Sequence, residues 1–570
     1  MPETVSLEIA WSRLINICDE AATALVRTSF SSAVRDFHDY ACALFDARER
    51  MIAQSNHTTP GLLGILPHTV RSFCRHIEPE TLAPGDVIIT NDPWIATGHL
   101  IDITLMTPIF VGGTVVGYAS CSVHHLDVGG RLATIESRDI FEEGLKIPIC
   151  KLYKAGIENS DVFEFIRHNV RMSDKVIGDI RAQVAANHIC ALRVADFMEE
   201  FSLKTLDEIG SEIVDRTEAA FRNEIAKLPD GEYRHSLTID RVADDEEPLE
   251  IVCCIKIAGD SIDVDYEGTS KQVRKAINSP LTMTTSYTYF PFKAALLPHE
   301  PNNQGCLEPI RVAAPEASIL NAKWPAATWG RTIVVHYLPE VIMGALAHVI
   351  PDRVIASGGA SPLWYQNISG SRRDGSQFFA ITAHHGGLGA RPMSDGINCL
   401  SFPSNVANVP VEISEKDAPI LYYRKELAID SGGPGEMRGG LGQDVSFGVI
   451  DGPAGPMDQV TIGVRGGRHD FSVPGICGGG DASSARILLN GEDIRSGRQY
   501  HLRPGDRLDF SISGGGGYGD PKKRDRGKVN EDVRLGYVSP EQARSVYGWI
   551  SDESGSGGNV GDSKVGDSKA

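Results

Sequence analysis

Several signatures are missing from this chain of 570 residues, and each gap removes a class of protein. Cys-x-x-Cys pairs do not occur, and the eleven cysteines are scattered and odd in number. Neither a zinc ribbon nor a disulfide framework is written here. The phosphate-loop pattern Gly-x-x-x-x-Gly-Lys-Ser/Thr is absent. No stretch approaches the ~18 apolar residues of a membrane span. Glu3, Glu8, Arg13, Asp19 and Glu20 break up any apolar leader at the start, so no signal peptide is expected. Basic residues are the minority, 55 against 75 acidic, and the net charge of -20 disfavours a nucleic-acid partner. The one basic cluster, Lys522, Lys523, Arg524 and Arg526, reads as solvated surface. Reduced thiols and a cytoplasmic home follow as expectations.

What is present is enough for several cores. Hydrophobic residues make up 41% of the chain, and single cores stop growing near ~250–300 residues. Residues 5–30 read as an amphipathic helix, with Leu7, Ala10, Leu14, Ile17, Ala21 and Leu25 at spacings of three or four. Residues 41–53 read as strand–turn–strand, and 60–77 as a loop leading into a short helix. Strands are expected at Val87–Thr90, Ile101–Phe110 and Val115–Val123. Residues 160–227 are helical in pattern up to the turn at Pro229-Asp230-Gly231. Short β-type runs dominate 233–340, including the one that holds the vicinal pair Cys253–Cys254, and 333–350 reads as a buried helix. From about 411 the chain turns glycine-rich and strand-like. The expected class is α+β, a multi-domain mixed α/β chain. Its units are an N-terminal metal-site α/β domain (1–228), a central α/β domain (229–410), a β-rich, Gly-rich region (411–525), a helical extension (526–551) and a disordered tail (552–570).

Chemistry concentrates in residues 99–125. Two β-rich runs flank Gly112-Gly113, and a two-glycine loop can take the positive φ values of a hairpin turn. Pairing Val111 with Thr114 places His124 opposite Ile101 and diagonally next to His99, on one face. Asp102 would face the other way in a strict strand. It joins the histidines only if 99–102 form a turn or bulge. Two imidazoles and a carboxylate suit zinc, manganese or iron. The competing reading of such a histidine pair is a partly buried, backbone-bonded one. Gly514 to Gly519 satisfies Gly-x-Gly-x-x-Gly on paper, but Asp-Pro-Lys-Lys-Arg-Asp-Arg follows instead of an apolar helix. Close backbone approach explains these glycines better than a dinucleotide.

These residues resemble the hydantoinase B / 5-oxoprolinase family. Asn91-Asp92-Pro93, Gly98-His99-Leu100-Ile101-Asp102 and His124-His125-Leu126-Asp127-Val128-Gly129-Gly130 are similar to its central block, and Asp39 to Asp46 to its N-terminal block. Glu143 to Pro148, Gly178-Asp179, Ala182-Gln183, Gly433-Pro434-Gly435, Arg438 to Gly442 and Gly514 to Pro521 follow in order. The resemblance implies a divalent metal, zinc or manganese, held by Asp39, His99, Asp102 and His124. Asp39 rests on the resemblance alone, with Asp36 and His38 as neighbouring competitors. His125 and Asp127 are candidate acid/base or ligand-orienting residues. His384-His385 and the aromatic stretch 275–300, with Tyr287, Tyr289, Phe290 and Phe292, are candidate pocket walls, core packing being the bland alternative for the aromatics.

The resemblance further implies a hetero-oligomer with a hydantoinase A-type subunit of actin-like fold that holds ATP and magnesium. The expected activity is hydrolysis of a cyclic amide (hydantoin, 5-oxoproline or lactam) after its phosphorylation. A ketone carboxylase of the acetone or acetophenone type is the alternative, although its subunits generally run longer. A non-catalytic structural subunit ranks last, because all four candidate ligands are present.

Overall fold

The computed structural model describes residues 7–131, 134–242, 247–371, 375–451 and 460–550. The expected tail at 552–570 lies outside the described residues. The fold is a mixed α/β arrangement of four sheets, with the longest helices against the first two.

The first sheet takes seven strands: β1 (Tyr40–Asp46), β2 (Met51–Gln54), β3 (Val87–Thr90), β4 (Asp102–Val111), β5 (Thr114–His124), β6 (Cys150–Lys154) and β7 (Ile157–Glu158). Their order is β2-β1-β5-β4-β3-β6-β7, antiparallel throughout. One face packs on the helices Leu7–Thr28 and Ser173–Glu200 through Leu14, Leu25, Leu44, Ile103, Val123 and Ile180. The other packs on the helix Leu66–His76 through Phe45, Val70, Phe73, Met106 and Tyr118. Strands buried on both faces read as continuous apolar runs, as β1 and β4 do.

The β4–β5 hairpin departs from the simple register in one respect. Val111 pairs with Thr114 and Phe110 with Val115, but Ile109 pairs with Gly117. Val116 is therefore an extra residue on β5, a β-bulge that shifts all later pairs by one. His124 lies opposite Asp102, not opposite Ile101. Because side chains alternate with period two, this slip moves Asp102 to the histidine's face.

The second sheet comprises β8 (Gly231–Ile239), β9 (Leu249–Ala258), β10 (Ser261–Asp265) and β11 (Ile310–Ala313), in the order β11-β10-β9-β8. Cys253 is buried in β9, as strand core. The helices Leu281–Leu296 and Leu338–Leu346 cover this sheet. The first of these corrects the β-type reading of 233–340. Its threonines and aromatics favour strands, yet Met283, Thr284, Tyr287, Thr288 and Phe292 are buried at helical spacing. Hydrogen bonds satisfy the threonines: Thr288 Oγ1 donates to the Thr284 carbonyl at 2.7 Å and Thr284 Oγ1 to the Leu320 carbonyl at 2.6 Å.

Nine further strands complete the described sheets: β12 (Trp364–Ser371), β13 (Gln377–His384), β14 (Ile420–Leu427), β15 (Gln443–Val449), β16 (Val460–Arg465), β17 (Arg486–Leu489), β18 (Glu492–Asp493), β19 (Gln499–Leu502) and β20 (Arg507–Ser511). They form two sheets, β13-β12-β16-β19 and β14-β15-β20-β17-β18, sharing a core of Trp364, Ile368, Phe447, Ile462 and Phe510. The first of these sheets draws strands from both sides of residue 410. Gly514–Gly517 thread between backbones. A Cβ on Gly515 would stand 2.1 Å from the Leu388 carbonyl oxygen and one on Gly516 2.0 Å from that of Pro474. The helices Arg526–Arg534 and Pro540–Tyr547 close the described chain. Arg524 corrects the reading of its basic cluster as solvated. It is buried and bridges Asp395 and Asp532, both at 2.7 Å. No helix among the described residues is long and apolar enough to cross a membrane.

Candidate metal centre

Three adjacent strands end in one row. Asp39 precedes β1, His124 closes β5 and Asp102 opens β4. The His124 N–H donates to the Asp39 carbonyl at 3.0 Å, and Asp102 is the cross-strand partner of His124. The three side chains thus share the face that carries Phe45, Met106 and Tyr118. His99 reaches the same point from the turn before β4, four positions in sequence covering i to i+3. Gly98 makes the turn possible: its φ is +82°, and a Cβ there would stand 2.7 Å from Arg331 Cδ.

Donor atoms of His99, Asp102 and His124 lie within 4.8 Å of one another. His124 Nδ1 is 2.8 Å from Asp102 Oδ1 and 3.8 Å from Asp39 Oδ2. His99 Nε2 is 2.7 Å from Asp102 Oδ2, yet no hydrogen bond joins them, and the buried nitrogen has no other partner. Two acceptor atoms held this closely without a proton between them suit a shared cation. His99 Nδ1 faces the Trp329 carbonyl at 3.2 Å and Arg331 Nη1 at 2.7 Å. A proton on Nδ1 serves the carbonyl and frees the Nε2 lone pair; a lone pair on Nδ1 serves Arg331 instead. Metal-bound imidazoles commonly donate their other N–H to such a carbonyl.

The protonation states also favour ligation. Burial first, then the Arg331 charge, pushes the His99 imidazole down to about 3. Burial works against the Asp102 carboxylate. The adjoining imidazoles, His99 first and then His124, outweigh it and hold that carboxyl well below its ordinary value. Asp39 moves upward, through burial and the nearby Asp102 charge. It keeps partial solvent contact and accepts from Thr59 Oγ1 at 3.2 Å. Its neighbours do not compete: Asp36 pairs with Arg35 at 2.8 Å, and His38 is exposed.

A narrow cavity of about 30 Å³ adjoins Asp39 and His124, with Tyr287, Arg331, His336, Tyr365 and Arg465 in its wall. Arg331 donates from Nη2 to Asp102 Oδ2 at 3.1 Å, and from Nε to the Thr97 carbonyl. Its loop is pinned by Glu143, whose carboxylate accepts the N–H groups of Thr328 (2.7 Å) and Trp329 (2.8 Å) and which burial raises to about 8. The Leu363 N–H donates to His336 Nδ1 at 3.2 Å. Burial, ahead of the charges of Arg465 and Arg331, keeps His336 neutral. Its proton therefore sits on Nε2, 2.9 Å from the Tyr287 hydroxyl. That hydroxyl accepts from His336 and has its own proton to give elsewhere.

His125 and Asp127 do not join the site. His125 points to the opposite face of the sheet, with Nε2 3.0 Å from Gln183 Oε1 on the helix Ser173–Glu200. Asp127 holds a loop, accepting from the Gly129 N–H at 2.8 Å and from Arg171 Nη1 at 2.9 Å. His384 and His385 are buried elsewhere, His384 among Tyr422, Phe447 and Phe510. Of the aromatic stretch, Tyr287 reaches the cavity; Phe292 is core. Tyr289 and Phe290 line a separate cavity with Lys293 and Asn405. Sequence reasoning did not find Arg331, His336, Tyr365 and Arg465. No motif spacing marks them, since partners such as Leu363, Tyr365 and Asp102 lie 27 to 229 residues away in the chain.

Comparison with known proteins gives the family of the chain. The family model described as hydantoinase B/oxoprolinase matches residues 3–521. The B-type subunit of a putative D-/L-hydantoinase from Pseudomonas sp. (strain NS671) is 30% identical over 573 residues, covering 96% of this chain and 95% of that protein. The crystal structure of the ATP-dependent caprolactamase from Pseudomonas jessenii superposes with a TM-score of 0.86 at 27% identity, over 97% of this chain and 98% of that one. A nucleotide-free acetone carboxylase superposes with a TM-score of 0.85 over 96% of this chain and 80% of that one, at 19% identity, a likeness of fold alone.

Proposed function

Since this chain belongs to the hydantoinase B/oxoprolinase family, we propose that it is the metal-bearing subunit of a two-part, ATP-dependent amidohydrolase that opens a cyclic amide. The observation that carries this reading is the convergence of His99, Asp102 and His124 on one point, with Asp39 Oδ2 alongside at 3.8 Å from His124 Nδ1. The relatives that match end to end support it, being named a hydantoinase subunit and an ATP-dependent caprolactamase. ATP and magnesium are assigned to a hydantoinase A-type partner in a hetero-oligomer. None of the eleven cysteines is disulfide-bonded, which fits a cytoplasmic home.

A divalent ion, zinc or manganese, would be held by those four side chains and would supply Lewis acidity and acidify water. The chain's own residues do the rest. A free amide is a poor electrophile, whereas an amide phosphorylated on oxygen carries a leaving group. The His99 tautomer with Nδ1–H donated to the Trp329 carbonyl presents Nε2 for ligation. Arg331 balances the Asp102 charge and ties the ligand row to the cavity wall. Tyr287, held by His336, offers a proton or a hydrogen bond to charge that develops on the substrate. The narrow cavity excludes bulk water, so these interactions act at low dielectric. The carboxylase alternative gains nothing from a likeness of fold alone.

The test uses the purified complex with its partner. About one divalent ion per chain is expected, and chelation should abolish ring opening of a hydantoin or lactam while nucleotide binding by the partner persists. Alanine at any of the four ligand positions should reduce the bound metal. Full turnover by metal-stripped enzyme would end the reading.

A further inference from the structure

Among the described residues five arginines are buried: Arg331, Arg438, Arg465, Arg468 and Arg524. Four of them have a carboxylate within salt-bridge range. Arg331 pairs with Asp102, Arg438 and Arg524 with Asp532, and Arg468 with Glu340. Arg465 has none among the described residues. It lies in the wall of the cavity beside Asp39 and His124, and the residue is 2% exposed.

Its position is built. Arg465 closes β16 and faces Tyr365 across the β12–β16 ladder. The guanidinium lies over the rings of Trp329, at 4.5 Å, and Tyr365, at 4.8 Å. One terminal nitrogen, Nη1, donates to the Tyr365 hydroxyl. Nη2 stands 3.5 Å from the Trp329 carbonyl, at the limit of a hydrogen bond, and Nε has no partner. Gly330 leaves the Nη2 side uncrowded; a Cβ there would stand 3.3 Å from it. Nε and Nη2 form one edge of the guanidinium fork, the edge that grips two oxygens of a carboxylate or phosphate. The charge that acts on Arg465 from nearby is another cation, Arg331. A buried, aromatic-stacked cation without a counter-charge is costly unless something neutralises it.

We propose that Arg465 anchors an anionic oxygen group, phosphoryl or carboxylate, on the ligand that enters the metal cavity. This deepens the reading of that cavity as the substrate site and rests on it. The anion supplies the charge that the fold withholds, and the Nε/Nη2 edge fixes its orientation relative to Tyr287 and the ligand row. Neutral cyclic amides would meet this requirement only once phosphorylated; a substrate with its own carboxylate would meet it directly.

The full-length chain tests this with inorganic phosphate and formate as separate probes, read by thermal shift and calorimetric titration. Wild type should bind at least one of them saturably, and Arg465→Met should bind it at least tenfold more weakly. Phosphate binding alone identifies the phosphoryl group, formate binding alone the carboxylate. Without added anion, Arg465→Met should melt at or above the wild-type temperature, because an unpaired charge is removed; a merely structural arginine would show the opposite. Failure of wild type to bind either anion, or equal binding by the variant, overturns the proposal. Should Arg465→Met not fold, Arg465→Lys keeps the charge and loses the fork. Tenfold weaker binding then supports the anchor, and unchanged binding refutes it. Divalent-metal content measured on the same samples separates the two readings: anion binding lost with metal retained strikes only the anchor, and metal absent from wild type strikes the proposed function.

Discussion

Replacing Asp102 by Asn probes the centre of the site with the least change in shape. The carboxylate is buried, accepts from His124 Nδ1 at 2.8 Å and from Arg331 Nη2 at 3.1 Å, and is held ionised. An amide occupies the same volume but leaves Arg331 buried with no counter-charge beside it. Removing one partner of a buried ion pair costs about 3–5 kcal/mol, a large share of the ~5–15 kcal/mol that typically separates folded from unfolded. The cost should fall locally, on the β4–β5 hairpin, whose open end carries the residue. Native-state amide exchange across 102–124, with chelator present so that metal contributes nothing, measures the opening free energy of that hairpin directly. The single variants Asp102→Asn and Arg331→Met should each lower it. The double variant should lose less than the sum of the singles by about 1–3 kcal/mol, since neither charge is left stranded. A coupling below ~0.5 kcal/mol would show that the two groups do not stabilise one another, and would refute the role of Arg331 as the counter-charge of Asp102.

Acid should destabilise the metal-free chain early. His99 is pushed down to about 3 and His385 to about 4, while His336 and His384 lie well below the ordinary 6.5, each chiefly through burial. The unfolded chain protonates these imidazoles as pH falls below 6.5 and the folded chain does not, so stability is full above that pH and declines toward 4. Each histidine contributes about 1.4 kcal/mol per pH unit there; a thermal midpoint that stays flat between about pH 7 and 4.5 contradicts the assignment. Tyr287→Phe should lower kcat about 100-fold, as loss of one preorganised donor does, with bound metal unchanged and KM altered less than about threefold. An unaltered kcat would remove Tyr287 from the chemistry.

Much of the fold and half of the ligand row were legible in the order of residues alone. The spacing of Leu14, Ile17, Ala21 and Leu25 places the first helix, and Gly112-Gly113 between β-rich runs places the hairpin that ends in His124. These features are local: helix period, strand alternation and turn chemistry act over a few bonds, so neighbouring residues determine them directly. The helix Leu281–Leu296 shows where local preference loses, since burial of one face of β-favouring residues outweighed their propensity. The bulge at Val116 shows a finer failure. One extra residue reverses which face Asp102 serves, and nothing in its side chain announces it.

The amino-acid order by itself thus determined that two histidines would flank the open end of a β-hairpin in an acidic, mixed α/β chain. Only the tertiary structure decided that Arg331, Tyr287, His336 and Arg465 would enclose them. Those contacts join segments that lie far apart in the chain, and each depends on which buried surfaces and charges meet once whole sheets have packed.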